Sequence, residues 1–360
     1  MKSEWKNSKD YELGEVCSRL SSGKSISAKE ILEFGKYPVY GGNGIRGYTD
    51  KKNFSGQCGI IGRQGAFCGN VRYFSGEAYM TEHAVVVCAN EQNDTRYLVY
   101  MLSQLQLGRL SGQSAQPGLS VKVLAKQKIH LPDFETQKKI AKVLSALDDK
   151  IELNNKINKN LEEQAQALYN SWFVDFEPFG RRRPTSWYMG ILSDLANIST
   201  GKRPTIKSDI KTSEFCIPIV GASSVMGYTS KSNYNDRILV TGRVGTHGVI
   251  QRFSTACWAS DNTLVITGNY YEYVNQILGK IDYSSLNRGS TQPLITQGDM
   301  NKEPVLIPDT ETLNRFETIV GALMTSYDYN NNENMRLEEV RDSLLPKLMS
   351  GEIDVDNVEI

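Results

Sequence analysis

The chain has 360 residues, 39% hydrophobic and 23% charged, with 41 lysines plus arginines against 41 aspartates plus glutamates. That length allows two domains, each with its own core. The balanced charge excludes a globally basic nucleic-acid binder, so any such contact needs local basic patches or a partner that supplies charge. The polar opening MKSEWKNSKDYELGE does not read as a signal peptide, and no apolar run approaches the ~18 residues of a membrane span. The six cysteines (Cys17, Cys58, Cys68, Cys88, Cys216, Cys257) form no C-x-x-C pair and there are three histidines, which argues against a structural zinc site or a disulfide framework. A cytoplasmic protein with reduced thiols is the expectation.

In chain order, SSGKS (Ser21–Ser25) imitates the end of a phosphate-binding loop, but Ser18 stands where that loop needs glycine. YPVYGGNGIRGYTDKKNF (Tyr37–Phe54) follows, and it recurs 180 residues later as IPIVGASSVMGYTSKSNY (Ile217–Tyr234), with seven of 18 positions identical. IIGRQG matches LVTGRVG at the same offset, placing Arg63 and Arg243 on glycine-rich loops. SAQP (Ser114–Pro117) matches STQP (Ser290–Pro293), and LPDFET matches IPDTET, both at offset 176. The chain is therefore two copies of one unit, ordered globular part, helix, globular part, helix.

The globular parts, roughly 1–133 and 186–309, carry short β-branched runs such as HAVVVC and NTLVIT between Gly and Asn turn signals. RYLVYMLSQL and YVNQILGKI read as helices, so each part is α+β rather than a series of βαβ units. Asp133 and Asp309 read as helix caps, with Glu135 and Glu311 in the favoured first turn. The helices that follow keep a 4-3 apolar spacing: Ile140, Leu144, Leu147, Ile151, Asn154, Asn158, Leu161, Ala165, Leu168, Trp172, and Phe316, Val320, Leu323, Tyr327, Asn330, Asn334, Leu337, Arg341, Leu344, Leu348. Antiparallel packing would face Asn154 with Asn334 and Asn158 with Asn330, fixing register. The seam corresponds to ~50 Å of helix, a rod expected to hold the globular parts apart. Pro346 is expected to kink or end the second helix.

No catalytic constellation emerges. The P-D-x-E pairs lack the E-x-K of a nuclease, and G-x-S-x-G, H-E-x-x-H and the N/D-P-P-Y/F of an aminomethyltransferase are absent. The duplicated polar loops instead suit nucleic acid, since arginine reads guanine edges or clamps phosphate while Gln and Asn read adenine. Arg63, Gln64, Arg243 and His247 are the foremost candidates for groove contacts. Tyr48, Lys51, Tyr228 and Lys231 follow as phosphate or groove contacts, and Gln116 and Gln292 as loop-shaping or DNA-touching residues.

SWFVDFEPF (Ser171–Phe179) and LLPKLMSGEI (Leu344–Ile353), with the half-length repeat, resemble the specificity (S) subunit of type I restriction-modification systems over essentially the whole chain. The resemblance implies two pseudo-repeated α/β target recognition domains separated by a pair of long antiparallel coiled-coil helices. The boundaries expected are 1–133 for the first recognition domain, 134–176 for a central helical spacer, 177–309 for a linker and the second recognition domain, and 310–360 for a C-terminal spacer. It implies a non-catalytic chain, binding no cofactor itself, that reads one half of a bipartite double-stranded DNA site with each domain. Two methyltransferase (M) subunits using S-adenosylmethionine would dock on it, and two restriction (R) subunits using ATP and Mg could join; no membrane is involved. A self-contained DNA-modifying enzyme and a scaffold without sequence readout are the alternatives.

Overall fold

A computed structural model describes Trp5 and residues 7–111, 118–288 and 294–358. The chain folds as two compact units: Met1–Leu153 with Glu333–Ile360, and Asn154–Asn332. Each unit thus takes part of both long helices.

In the first unit β1 (Ser8–Glu12) leads into β2 (Cys17–Ser22), β3 (Tyr37–Gly41), β4 (Gly44–Thr49), β5 (Phe54–Gly62), β6 (Val71–Met80) and β7 (Ala84–Ala89). Then come α1 (Thr95–Ser103), α2 (Val121–Ala125), β8 (Lys128–Pro132) and the 40-residue α3 (Phe134–Phe173). Strands β2-β7-β5-β6-β3-β4 form one sheet, and β1 pairs with β8. All pairings are antiparallel except β3 with β6, joined at Val39–Tyr79 and Tyr40–Met80. Val85 and Val87 of β7 and Tyr97, Leu98 and Leu102 of α1 share a core with Ile140 and Leu144 of α3 and Leu345 and Leu348 of the last helix.

The second unit repeats this order: β9 (Tyr188–Ile191), β10 (Asn197–Thr200), β11 (Ile217–Val220), β12 (Val225–Thr229), β13 (Ile238–Gly242), β14 (Gln251–Phe253), β15 (Trp258–Ala259) and β16 (Thr263–Thr267). It continues with α4 (Tyr271–Leu278), α5 (Gln297–Asn301), β17 (Pro304–Ile307) and α6 (Thr310–Ser350). Strands β10-β16-β13-β14 and β12-β11-β15 now make two sheets. In the first unit Gly76 of the continuous β6 and its cross-strand partner Gly56 take φ +135° and +119°, and Thr255 and Asp236 stand in their places in the second. Residues with a Cβ rarely adopt that backbone, and here the strand divides into β14 and β15.

The core of this unit is aromatic. Phe173 packs against Tyr273 at 4.6 Å and Trp187 at 5.6 Å, and Trp172 lies against Phe179 and Phe316. The SWFVDFEPF segment therefore ties the end of α3 to the sheet layer. Asp133 and Asp309 cap α3 and α6, accepting from the Thr136 amide at 3.0 Å and the Thr312 amide at 2.8 Å. The Thr136 amide holds Asp133 below the usual carboxylate range. Pro346 does not end α6, which runs on to Ser350. Burial of Leu345 and Leu348 on either side holds that turn, and proline removes only one backbone donor.

The long helices run antiparallel within each unit. In the first, Asp148 meets Arg341 at 2.9 Å and Lys150 meets Glu333 at 3.0 Å. In the second, Asn330 donates to Asn158 Oδ1 at 2.9 Å, while Asn158 Nδ2 donates to Asn331 Oδ1 at 2.9 Å and to the Tyr327 carbonyl at 3.4 Å. Asn154 and Asn334 are both buried.

Where α1 carries Arg96, stacked on Tyr73 and paired with Asp149, α4 carries Glu272. Glu272 is fully buried and held by Arg237 at 2.6 Å and Arg252 at 2.7 Å, so its charge is compensated. Beside it, Glu317 accepts from the Glu272 and Tyr273 amides at the start of α4. Burial pushes the Glu317 carboxyl up to about 7, and the Glu272 charge adds to this.

Two outcomes test these contacts. Asn158→Ala is expected to cost about 1–3 kcal/mol in denaturant melts by orphaning its seam partners, and the double change Asn158→Leu with Asn330→Leu to recover it. Glu317 has a folded pKa above its unfolded one, so its stabilisation is present at acid pH and lost as pH rises through about 7. Thermal melts from pH 5 to 8 should therefore show wild type losing stability relative to Glu317→Gln.

Candidate nucleic-acid interface

In each unit four chain segments converge on the turn between two sheet strands. In the first unit this is Met80–Ala84, linking β6 to β7. The Arg63 amide donates to the His83 carbonyl at 3.0 Å, and the Leu119 amide donates to the Arg63 carbonyl at 2.8 Å. In the second unit the Arg243 amide donates to Asn262 at 2.8 Å and the Ile295 amide to Arg243 at 2.9 Å. The two arginines are thus fixed in the same backbone setting.

The glycines before them permit close approach. A Cβ on Gly62 would lie 2.3 Å from the Phe67 carbonyl oxygen, and one on Gly242 would lie 1.7 Å from that of Thr246. The β3–β4 hairpin completes the cluster: a Cβ on Gly42 would be 3.5 Å from the Arg63 nitrogen, and Ala222 approaches Gly242 at the equivalent place. YGGNG is therefore a turn that closes against the arginine loop.

The candidate residues divide on this frame. Arg63 is half-buried, with its guanidinium 3.4 Å from the Glu82 carbonyl, and Gln64 beside it is exposed. Arg243 is half-buried. His247 stacks on Tyr283 with ring centroids 6.1 Å apart. Tyr48 and Tyr228 sit on β4 and β12, where their backbones bridge Leu32 and Ser208. Lys51 pairs with Glu30 at 2.6 Å, whereas Lys231 is exposed and enters no ion pair among the described residues. Gln116 and Gln292 lie outside the described residues.

Sequence reading missed one element of the cluster. The Gly23 and Lys24 amides donate to Ala84 and Met80, at 3.0 and 2.9 Å, gripping the same turn from its other side. Gly201 and Lys202 do the same to Thr263 and Ala259, at 3.2 and 2.9 Å. Lys24, Lys202 and Arg203 are exposed and enter no ion pair among the described residues. The signal was present: GKS of the first copy recurs as GKR in the second, 178 residues on.

Each unit thus presents exposed or half-exposed cations on backbone-clamped loops, a surface suited to a polyanion. Among the described residues no group of three His, Cys, Asp or Glu could hold a metal. The cysteines are free, and burial pushes the Cys17 and Cys58 thiols up to about 12, away from nucleophilic chemistry. No described helix is long and apolar enough to cross a membrane.

Known proteins resemble this chain in sequence and fold. The sequence profile of the type I restriction modification DNA specificity domain matches residues 3–163 and 184–341. The specificity subunit of the Escherichia coli type I restriction enzyme EcoprrI is 39% identical over 163 residues, spanning 44% of this chain and 40% of that relative. The MjaIX specificity subunit of Methanocaldococcus jannaschii is 27% identical over 306 residues, spanning 73% of this chain and 70% of that one. The chain thus spans under half of the first relative's length and about two thirds of the second's. A solved S subunit of a type I restriction-modification system from M. genitalium superposes with a TM-score of 0.64 at 19% identity, over 97% of this chain and 99% of that one. With two profile matches falling on the two copies of one fold, the chain belongs to the type I restriction-modification DNA specificity family.

Proposed function

We propose that each unit reads one half of an asymmetric, bipartite double-stranded DNA site, and that the chain does so as the non-catalytic specificity subunit of a type I restriction-modification complex. The observation that carries this reading is the loop cluster built twice on one backbone plan with different side chains. The first copy offers GRQGAFCGN and the second GRVGTHGVI. Similar frames with different side chains select different bases, so the two half-sites differ.

Chemistry then belongs to partners. Two M subunits, carrying S-adenosylmethionine, dock around the two long helices and methylate adenine N6 after turning the base out of the stack. R subunits with ATP and Mg join for cleavage. The M subunits add positive charge that this neutral chain lacks. The site of action is the cytoplasm, with the genome.

Two measurements test the reading. Methylome sequencing of cells carrying the M subunit should show one bipartite motif. Exchanging residues 186–309 for those of a relative with a different target should change one half of it only; alteration of both halves would refute independent reading. Native mass measurement of the co-expressed complex should give two M subunits per chain, and a stable 1:1 complex at saturating M subunit would refute symmetric docking.

A further inference from the structure

A duplicated reader contains its own control. The DNA backbone is the same at both half-sites, whereas the bases differ. Contacts to phosphate can therefore be kept between copies, and contacts to bases must change. The four segments around each turn sort by this test. Gly23-Lys24 and Gly201-Lys202 are kept in residue and in backbone bonding. Gln64 becomes Val244, His83 becomes Asn262, and Asn43 becomes Ser223.

The kept lysines also have the right physical setting. A Cβ on Gly23 would lie 2.0 Å from the Met80 carbonyl oxygen, and one on Gly201 would lie 2.2 Å from that of Ser260. The glycine presses the loop onto the turn, and the next residue leaves it with its amide already bonded and its ammonium in solvent. In the second unit the Trp258 indole donates to the Lys202 carbonyl at 2.6 Å, fixing the loop further. A lysine is a point charge on a flexible stem, suited to phosphate. The packed glycine explains why the loop is rigid; it does not explain why an unpaired cation follows it in both copies.

Resting on the reading of each unit as a DNA reader, we propose that Lys24 and Lys202 are sequence-independent phosphate contacts, one for each half-site. Half-site identity is carried by residues of the same clusters at which the copies differ, His83 and Gln64 in the first and Asn262 and Val244 in the second. Arg203, which follows Lys202 where Ser25 follows Lys24, gives the second half-site one cation more.

The test uses the complex purified with its methyltransferase subunit, titrated with duplexes of matched and scrambled sequence at several salt concentrations. Lys24→Ala and Lys202→Ala should each weaken binding to both duplexes by the same factor. Each should lower the slope of log affinity against log salt by about one, and leave the methylated motif unchanged. Lys24→Arg should restore both affinity and slope. His83→Ala and Asn262→Ala should instead relax the motif, each in a single half-site. Unaltered affinity and slope in the lysine variants, or a motif altered by them, would overturn the assignment while leaving DNA reading intact. A wild-type complex with no preference between the duplexes would overturn the reading beneath it.

Discussion

The hydrogen bonds of Asn158 fix how α3 and α6 meet in the second unit. A two-helix seam of apolar residues slides by a heptad at little cost, because one leucine layer resembles the next. Asn158 is 5% exposed and finds its partners in Asn330 and Asn331. Moved by seven residues it would face Leu323 or Leu337, and a buried amide without partners costs about 1–3 kcal/mol. The sheet layer of the second unit hangs on this register. Phe316 of α6 and Trp172 and Phe173 of α3 form one aromatic cluster with Tyr273 of α4 and Trp187. A slipped helix would pull that cluster apart.

The repeated identities turn out to serve the backbone more than the ligand. Asn53 and Asn233 illustrate this. Each side chain donates to and accepts from one strand residue, Met80 in the first unit and Ala259 in the second. The amide group thus continues a strand ladder where the main chain has turned away. Tyr48 and Tyr228 hold the bridges to Leu32 and Ser208 through their backbones. Sequence identity between copies accordingly marks the frame and what both copies present alike, and the loop residues that contact the turn without being identical mark what each copy presents differently.

The helices, their caps and the seam were legible because their signals are local and periodic. Ile140 through Trp172 repeat every three or four residues, and Asp133 stands three residues before the amide it accepts from. The two-sheet form of the second unit was not legible. It goes with the loss of the paired positive-φ glycines Gly56 and Gly76, replaced by Asp236 and Thr255, which hydrophobic pattern does not register. The lysine loop was legible only as a repeat of GKS in GKR, for its place in the cluster comes from bonds spanning 56 residues, from Lys24 to Met80. Read locally, Ser21–Ser25 is only an incomplete phosphate loop. Arg63 and Arg243 were singled out because glycine on both sides announces a turn. Their bonds to Leu119 and Ile295, far along the chain, could not be read the same way.

The division of the long helices also sets an order of assembly during synthesis. Residues 154–332 form one uninterrupted unit, whereas the unit that begins at the N-terminus needs residues 333–360 to be whole. Ile140 and Leu144 emerge from the ribosome long before Leu345 and Leu348, with which they share a core. At about 5–20 residues per second the delay is roughly 10–40 s. Through that interval the first-made half keeps an apolar helix face in water, an aggregation hazard for a nascent chain, while the later-made half can already close. Of the two units, the one that is entered earlier along the chain is therefore the later to be finished.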